Sequence, residues 1–432
     1  MSEWPTRAIG ELFDFGAGKS VTPIARAGAG RYPFLRTANV FWGRIDLGNV
    51  DSMHFSDDEI ARKSLTPGDL LVCEGGDIGR SALWRGELAR CGFQNHLHRL
   101  RRKAADVEPM FVMYYLQAGF TQLGVFEGAG NKTTIPNLSR SRLADLEVPF
   151  PSLDEQRRIA SILWKVQRAV EVQENLVATV RELKQAAMRQ LFTRGLRGEA
   201  QKESEIGLVP ESWEVLPFES MREFLQYGTS SKCNYSRDGS AVLRIPNVLA
   251  GRIDPSDLKR CVLPEREVAQ WLLSDGDVLF IRTNGVRDRV GSCAVYHGEP
   301  ENALFASYLI RARLHGHVLN PDFFQYFAGS EAGIAQLGGR ASPAADGKFN
   351  INTRAIDSLL VSVPQTLAEQ HEISTALQTI DRKLAHHERK RDTLQELFKS
   401  LLHELMTGRI RVHDLDIDTT ALIGEPTGGE DK

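Results

Sequence analysis

The side chains best suited to recognition chemistry occur in recurring sets. Arg36 and Asn39 return as Arg244 and Asn247, and Lys132 returns as Lys348, each lysine in a glycine-containing loop. Arginine, lysine, asparagine and glutamine pair with planar polar edges such as those of nucleic-acid bases, often through two hydrogen bonds at once. Around these positions lie polar residues that differ between the sets: Glu74, Asp77 and Arg80 in the first against Arg282, Asn284 and Arg287 in the second, with Gln94 and His96 beside the former. Lys19, Lys232 and Asn352 complete the candidates for polar contact.

Nothing comparable points to catalysis. Gly128-Ala-Gly-Asn-Lys-Thr133 lacks the spacing of a phosphate loop, and Gly16-Ala-Gly and Gly28-Ala-Gly are too short for a dinucleotide fingerprint. Asn320-Pro-Asp-Phe323 is one residue from an amino-methyltransferase signature, but it opens an aromatic helix whose counterpart has only Glu108-Pro109, so a structural role is expected. The eleven histidines form no metal-binding or triad spacing. Five scattered cysteines without a CxxC pair are expected to be reduced structural thiols. No catalytic residue and no metal site is expected.

The elements that position the recurring residues are themselves duplicated. Phe34-Leu-Arg-Thr-Ala-Asn-Val-Phe-Trp-Gly-Arg-Ile-Asp46 aligns with Val242-Leu-Arg-Ile-Pro-Asn-Val-Leu-Ala-Gly-Arg-Ile-Asp254. The same offset carries Gly68-Asp69 onto Gly276-Asp277, each a turn entering an apolar strand. Phe93 and Phe305 follow. Pro109 and Pro321 then open aromatic helices, and Lys132-Thr-Thr-Ile135 is set against Lys348-Phe-Asn-Ile351. Each copy ends in Val-Pro and a capping box, Ser152-Leu-Asp-Glu155 and Thr366-Leu-Ala-Glu369.

From each capping box apolar positions recur in steps of four and three. The first series is Ile159, Leu163, Val166, Val170, Gln173, Val177, Val180. The second runs from Ile373 through Leu377, Ile380, Leu384, His387, Arg391, Leu394, Phe398 and Leu401 to Leu405. These heptad seams predict helices of about 60 Å, reaching about Thr193 and Thr407 before Gly195 and Gly408. Each stripe needs a cover, and the other helix supplies it. Connectivity then makes the pair antiparallel, with Gln173 and His387 setting register and His386-His387 a packing feature.

The expected architecture is α+β: two similar globular domains alternating with two long helices paired as an antiparallel coiled coil, with pseudo-two-fold symmetry. The expected boundaries are a first domain over 1–151, a first spacer helix over 152–198, a linker over 199–212, a second domain over 213–365, a second spacer helix over 366–411, and an acidic, disordered tail over 412–432.

A composition of 42% hydrophobic and 25% charged residues suits a soluble globular chain, with no apolar run long enough to span a bilayer and no secretory signal pattern, so a cytoplasmic location is expected. The net charge of -3 excludes a protein held to nucleic acid by its overall field, so any anion-binding surface must be a local patch. A two-fold arrangement of two readers suits a dyadic partner, and duplex DNA, with a turn of about 34 Å, leads.

On these features the chain resembles the specificity (S) subunit of type I restriction-modification systems. The resemblance rests on the paired Gly-Asp segments, the lysine loops, the Leu153-Asp-Glu-Gln156 and Leu367-Ala-Glu-Gln370 motifs, and the helix ends Leu191-Phe-Thr-Arg-Gly195 and Leu405-Met-Thr-Gly408. It covers nearly the whole length. The resemblance implies two target-recognition domains, each reading one half of a bipartite double-stranded DNA sequence. It implies no catalysis and no cofactor on this chain. S-adenosylmethionine would sit on two methyltransferase (M) subunits, and ATP and magnesium on restriction (R) subunits.

Within that frame Lys132 and Lys348 are paired candidates for DNA contact, as readily solvated loop lysines. Arg36, Asn39, Arg244 and Asn247, being shared, suit phosphate contact or framework hydrogen bonding, whereas the residues that differ suit base reading. The run Arg99-Leu-Arg-Arg-Lys103 is basic enough to meet phosphate. Arg157, Arg158, Arg181, Lys184 and Arg189, on the outward face of the first helix, are candidates for docking the methyltransferase. The alternative reading is a duplicated coiled-coil adaptor for proteins that never touches DNA; a third is an enzyme with a dispersed active site.

Overall fold

The structure, a computed structural model, describes residues 4–28, 30–124, 126, 137–249, 251–344 and 347–420. It divides into two compact units. The first comprises Met1–Glu174 with Arg389–Lys432, and the second Asn175–Glu388. Both mix helix and sheet, and each long helix contributes half its length to each unit. Among the described residues no helix is long and apolar enough to cross a membrane.

In the first unit a four-stranded antiparallel sheet runs in the order Phe13–Ala17, Leu97–Arg102, Leu70–Cys73, Ser81–Leu83. Beside it Arg31–Leu35 pairs antiparallel with Asp51–His54 and parallel with Gly92–Phe93. Thr6–Ala8 pairs with Glu147–Pro149 and closes the unit. The second unit repeats this plan. Its four strands run in the order Arg222–Tyr227, Leu309–Leu314, Val278–Ile281, Cys293–Val295. Ser240–Leu243 lies between Lys259–Cys261 and Leu304–Phe305, and Glu214–Pro217 pairs with Leu360–Val363. The central strands Leu70–Cys73 and Val278–Ile281 are buried along their whole length, as continuous apolar runs require.

The long helices span Leu153–Arg194 and Leu367–Met406. Gly195 and Gly408 terminate them with φ of 63° and 69°, a left-handed conformation that glycine adopts without a Cβ penalty. The Ser152 hydroxyl accepts from the Glu155 N–H at 3.3 Å, and Thr366 from Glu369 at the same distance. The carboxylates depart from the reciprocal box: Glu155 takes a bidentate contact from Arg411 (2.6 and 2.8 Å), and Glu369 accepts from the Trp213 indole at 3.3 Å. Both residues tie the helix start to distant chain.

The motif glutamines do the same. Gln156, fully buried, accepts from the Glu108 N–H (2.9 Å) and donates to the carbonyls of Asp106 and Pro151. Gln370 accepts from the Asn320 N–H (2.8 Å) and donates to Val318. Each therefore clamps the segment that leads into an aromatic helix, Pro109–Ala118 or Pro321–Ala328. Tyr114 and Tyr326 on those helices donate to Gln167 (2.8 Å) and Asp381 (2.7 Å). Asn320 caps its helix through a bond from the Phe323 N–H at 2.8 Å, the structural role expected for that motif.

Within the first unit Ile159 and Leu163 share a core with Leu402, Leu405 and Met406. Gln395 donates to Glu174 at 3.3 Å. Within the second, Phe192 shares a core with Ile373 and Leu377, and Arg181 and Lys184 pair with Glu388 and Asp381, each at 2.6 Å. Val166, Val170, Leu384 and Leu394 lie on the expected stripes but are only half-buried.

Two expectations are corrected. Residues 199–212 are not a plain linker: Gln201–Ser204 and Gly207–Pro210 form an antiparallel hairpin around Gly207, and Val209 is buried. The tail is not free of structure from 412. Val412 is 1% exposed in the first core, and Ser161 donates to the Asp418 carbonyl at 2.7 Å. Val412 and Ile417, apolar residues among acidic ones, pack on the first core and anchor the start of that tail; residues 421–432 lie outside the described residues.

The Gly-Asp turns carry a contact that the sequence reading passed over. Asp69, 1% exposed, accepts from the Thr66 N–H (2.8 Å) and from both arms of Arg101 (2.7 Å each). Asp277 accepts from Ser274 (2.8 Å) and Arg313 (2.8 Å each), and lies 3.5 Å from Arg311. Arg311 is 4% exposed, and its burial lowers its proton affinity. Removing one partner of a buried pair strands the other charge. We therefore expect Asp277→Ala to destabilise the second unit by roughly 3–5 kcal/mol, read as a lower urea midpoint; an unchanged midpoint would show that the bonds Arg311 also makes to the Leu272 and Gln270 carbonyls suffice to hold its charge.

Candidate nucleic-acid interface

The recurring pair Arg36/Asn39 is built identically to Arg244/Asn247. Asn39 accepts the Arg36 N–H (2.9 Å) and donates to the carbonyls of Asp46 and Asn49 (3.0 Å each). Asn247 accepts the Arg244 N–H (2.9 Å) and donates to Asp254 (3.0 Å) and Asp257 (2.9 Å). Both asparagines are at most 2% exposed, and each amide is committed on both sides. They are framework, which corrects their inclusion among DNA contacts. The arginines are also held, Arg36 by Asp51 (3.0 Å) and Arg244 by Asp257 (3.0 Å), but each remains part-exposed.

The backbone frame beyond them superposes bond for bond. Lys19 N–H donates to Phe93 O, and Thr229 to Phe305, both at 2.9 Å. Gln94 N–H donates to Leu35 O, and Ala306 to Leu243, again at 2.9 Å. Glu74 N–H donates to His96 O (3.0 Å) and Arg282 to Tyr308 (2.9 Å), while Leu138 donates to Glu74 O (2.7 Å) and Ile351 to Arg282 O (2.9 Å). Positions 74 and 282 are thus the same seat, as are 96 and 308.

That register corrects two pairings. Ile351 stands opposite Leu138 rather than Ile135, so the Lys-x-x-Ile segments do not align through their isoleucines. Lys132, Ile135 and the Gly128–Thr133 segment lie outside the described residues. Arg80 corresponds to Ser292 rather than Arg287, because Cys73 N–H donates to Arg80 O and Ile281 N–H to Ser292 O, each at 2.8 Å. The loop between these seats is four residues longer in the second unit. Gly79 and Gly291 close both loops with φ of 81°, packed under Phe120 and Leu337 respectively.

The remaining candidates separate into pinned and presented groups. Lys19 is bound to the Glu59 carboxylate, and that bond holds Glu59 below the usual carboxylate range. Gln94 is 9% exposed. Asn352 spends its side chain capping the helix Thr353–Asp357, accepting from Ala355 at 2.8 Å, and Arg287 donates to Gly338 O at 2.9 Å. Presented outward are Lys232, Asp77 and His96, and Asn284, Tyr308 and Lys348 line one depression. Asp77 pairs with Arg80 at 3.1 Å, and the Arg80 guanidinium lies 5.1 Å from the Phe41 ring.

Of the basic run, Arg101 is spent on Asp69 and Arg99 donates to Arg62 O (3.2 Å), with its proton affinity lowered by burial. The docking candidates Arg157, Arg158, Arg181, Lys184 and Arg189 are all within 4 Å of a carboxylate of the same chain, so they are not free charges awaiting a partner. The thiols of Cys73, Cys91 and Cys293 are pushed up by burial to about 12, which makes them inert packing groups.

Tyr227 and Tyr308 were missed. Tyr308 is 59% exposed, and the Arg282 guanidinium lies over the Tyr227 ring, 4.7 Å from its centroid. Aligning Phe93-Gln-Asn-His-Leu97 with Phe305-Ala-Ser-Tyr-Leu309 residue by residue would have set Tyr308 against His96.

Residues 1–182 match the family described as the type I restriction modification DNA specificity domain. The chain is 25% identical to a putative type I restriction enzyme MjaX specificity subunit of Methanocaldococcus jannaschii over 88% of both chains. It is 22% identical to the MjaVIII specificity subunit of the same organism over 96% of this chain and 94% of that one. Its fold is similar to that of the type I restriction-modification S subunit from M. genitalium, with a TM-score of 0.61, 16% identity, and coverage of 93% of this chain and 96% of that one. The matches to these relatives extend over both repeats, so the chain is similar to type I restriction enzyme specificity subunits over most of its length.

Proposed function

We propose that this chain is the DNA sequence-recognition subunit of a type I restriction-modification complex, each globular domain reading one half of a bipartite target. One observation carries the reading: two domains share a backbone frame to within tenths of an ångström in its hydrogen bonds, yet present different polar side chains from equivalent seats. A shared frame with differing side chains suits two readers of different half-sites. The relatives' names support this over a protein-only adaptor.

In this reading the two long helices pair antiparallel as a spacer with pseudo-two-fold symmetry. In support, the start of the first helix shares a core with the end of the second, and its end with the start of the second. In the same reading the chain would bring no catalytic group or cofactor of its own. Two methyltransferase subunits would bring S-adenosylmethionine, and restriction subunits ATP and magnesium, in the cytoplasm. The presented side chains, with Lys132, would contact DNA.

Single-molecule methylation mapping in a host carrying this chain and its methyltransferase partner tests the proposal. A bipartite methylated motif that disappears on deleting the chain is expected, and methylation that persists unchanged would overturn it. Exchanging residues 1–150 for another such domain should alter one half of the motif; changes in both halves would refute the assignment of one domain to one half-site. Inserting whole turns into the first long helix should change only the number of unread base pairs, and a change in the bases read would count against its spacer role.

A further inference from the structure

The equivalent seats hold opposite chemistry. At the first, Glu74 presents a carboxylate that accepts from Asn137 (3.3 Å) and lies 3.6 Å from His96, whose side chain is 63% exposed. At the second, Arg282 presents a guanidinium lying over the Tyr227 ring, 4.7 Å from its centroid, with one arm donating to Ser307 O at 3.2 Å, beside the exposed Tyr308. The backbone at both seats is fixed on two sides, donating to residue 96 or 308 and accepting from residue 138 or 351. From one backbone frame Glu74 turns to Asn137 and His96, and Arg282 to Tyr227 and Ser307, so the two seats offer different chemistry to whatever they meet. In each case neighbouring groups orient the side chain while leaving hydrogen-bonding capacity: acceptor lone pairs on Glu74, and donors on Arg282 beyond the arm bound to Ser307.

We infer that residues 74 and 282 are the paired specificity determinants of the two domains, Glu74 selecting the exocyclic amino group of cytosine in one half-site and Arg282 the O6/N7 edge of guanine in the other. The inference rests on the DNA-reading role proposed above. An acceptor-only carboxylate suits the cytosine amino group and rejects the acceptor edge of guanine. A guanidinium held over the Tyr227 ring and bonded to the Ser307 carbonyl has much of its freedom already spent before it meets the base, so less entropy is lost on binding.

The test is the methylated motif produced by the full complex carrying Glu74→Gln or Arg282→Ala. Glutamine keeps the shape of glutamate but pairs with adenine. Glu74→Gln should therefore shift one position in one half-site from cytosine toward adenine and leave the other half unchanged. Arg282→Ala should relax one guanine position in the other half, by roughly ten- to a hundredfold in preference. If Arg282→Ala lowers the melting temperature of the complex sharply, Arg282→Lys decides the matter, since it keeps the charge and loses the fork; relaxation at the same guanine supports the inference, and full retention of it overturns the inference. Motifs identical to the parent's from folded variants, changes in both halves, or loss of methylation at all sites by a folded complex would each overturn it. A parent complex that yields no bipartite motif would instead overturn the proposed function itself.

Discussion

A helix of 40 residues with a single apolar stripe cannot stand alone in water, because most helical stability in proteins comes from covering such a stripe rather than from propensity. Both long helices face this constraint, and the rest of the architecture answers it. In each unit the aromatic helix, the Trp-bearing segment at Trp4 or Trp213, and a length of both long helices share one apolar core. Bonds from Tyr114 and Tyr326 to Gln167 and Asp381, and the clamps of Gln156 and Gln370, orient each domain on its helix. Covering the stripes and placing the domains are therefore one packing problem.

The seat shared by residues 74 and 282 is built on the opposite principle. Its backbone is over-determined, with the buried asparagines Asn39 and Asn247 and the buried carboxylates Asp69 and Asp277 saturated by partners that recur in both units. Polar groups so saturated cost little when buried and hold the chain in one conformation. Side chains at 74, 96, 282 and 308 can then change from acid and imidazole to guanidinium and phenol without disturbing the frame. A rigid scaffold carrying variable polar tips is a physical route by which one fold serves many target sequences.

Much of this was legible from residues alone. The capping residues Ser152 and Thr366, the terminating glycines and the four-three spacing placed the helix starts and the ends at Thr193 and Thr407 to within about a residue, while the spacer bounds at 198 and 411 overran the observed ends at Arg194 and Met406 by four and five residues. Arg-x-x-Asn and Gly-Asp marked the frame because they recur. What was illegible depended on partners far away in sequence. Glu155 meets Arg411 across the chain, where the local pattern sent its carboxylate back to its own helix. The Lys-x-x-Ile pattern suggested that Ile135 pairs with Ile351, and only the bonds at Leu138 and Ile351 showed which residues share that seat.

The sequence by itself determined that the chain is duplicated, that each copy ends in a long amphipathic helix, and where those helices begin and end. Such features are local: caps act within a turn, and stripes repeat every three or four residues. Tertiary structure alone decided which polar residues are spent and which are presented. Arginine and asparagine look alike in a sequence whether buried against a carbonyl or exposed, and only the fold, by supplying Asp69 to Arg101 and placing Arg282 over Tyr227, separates committed side chains from presented ones.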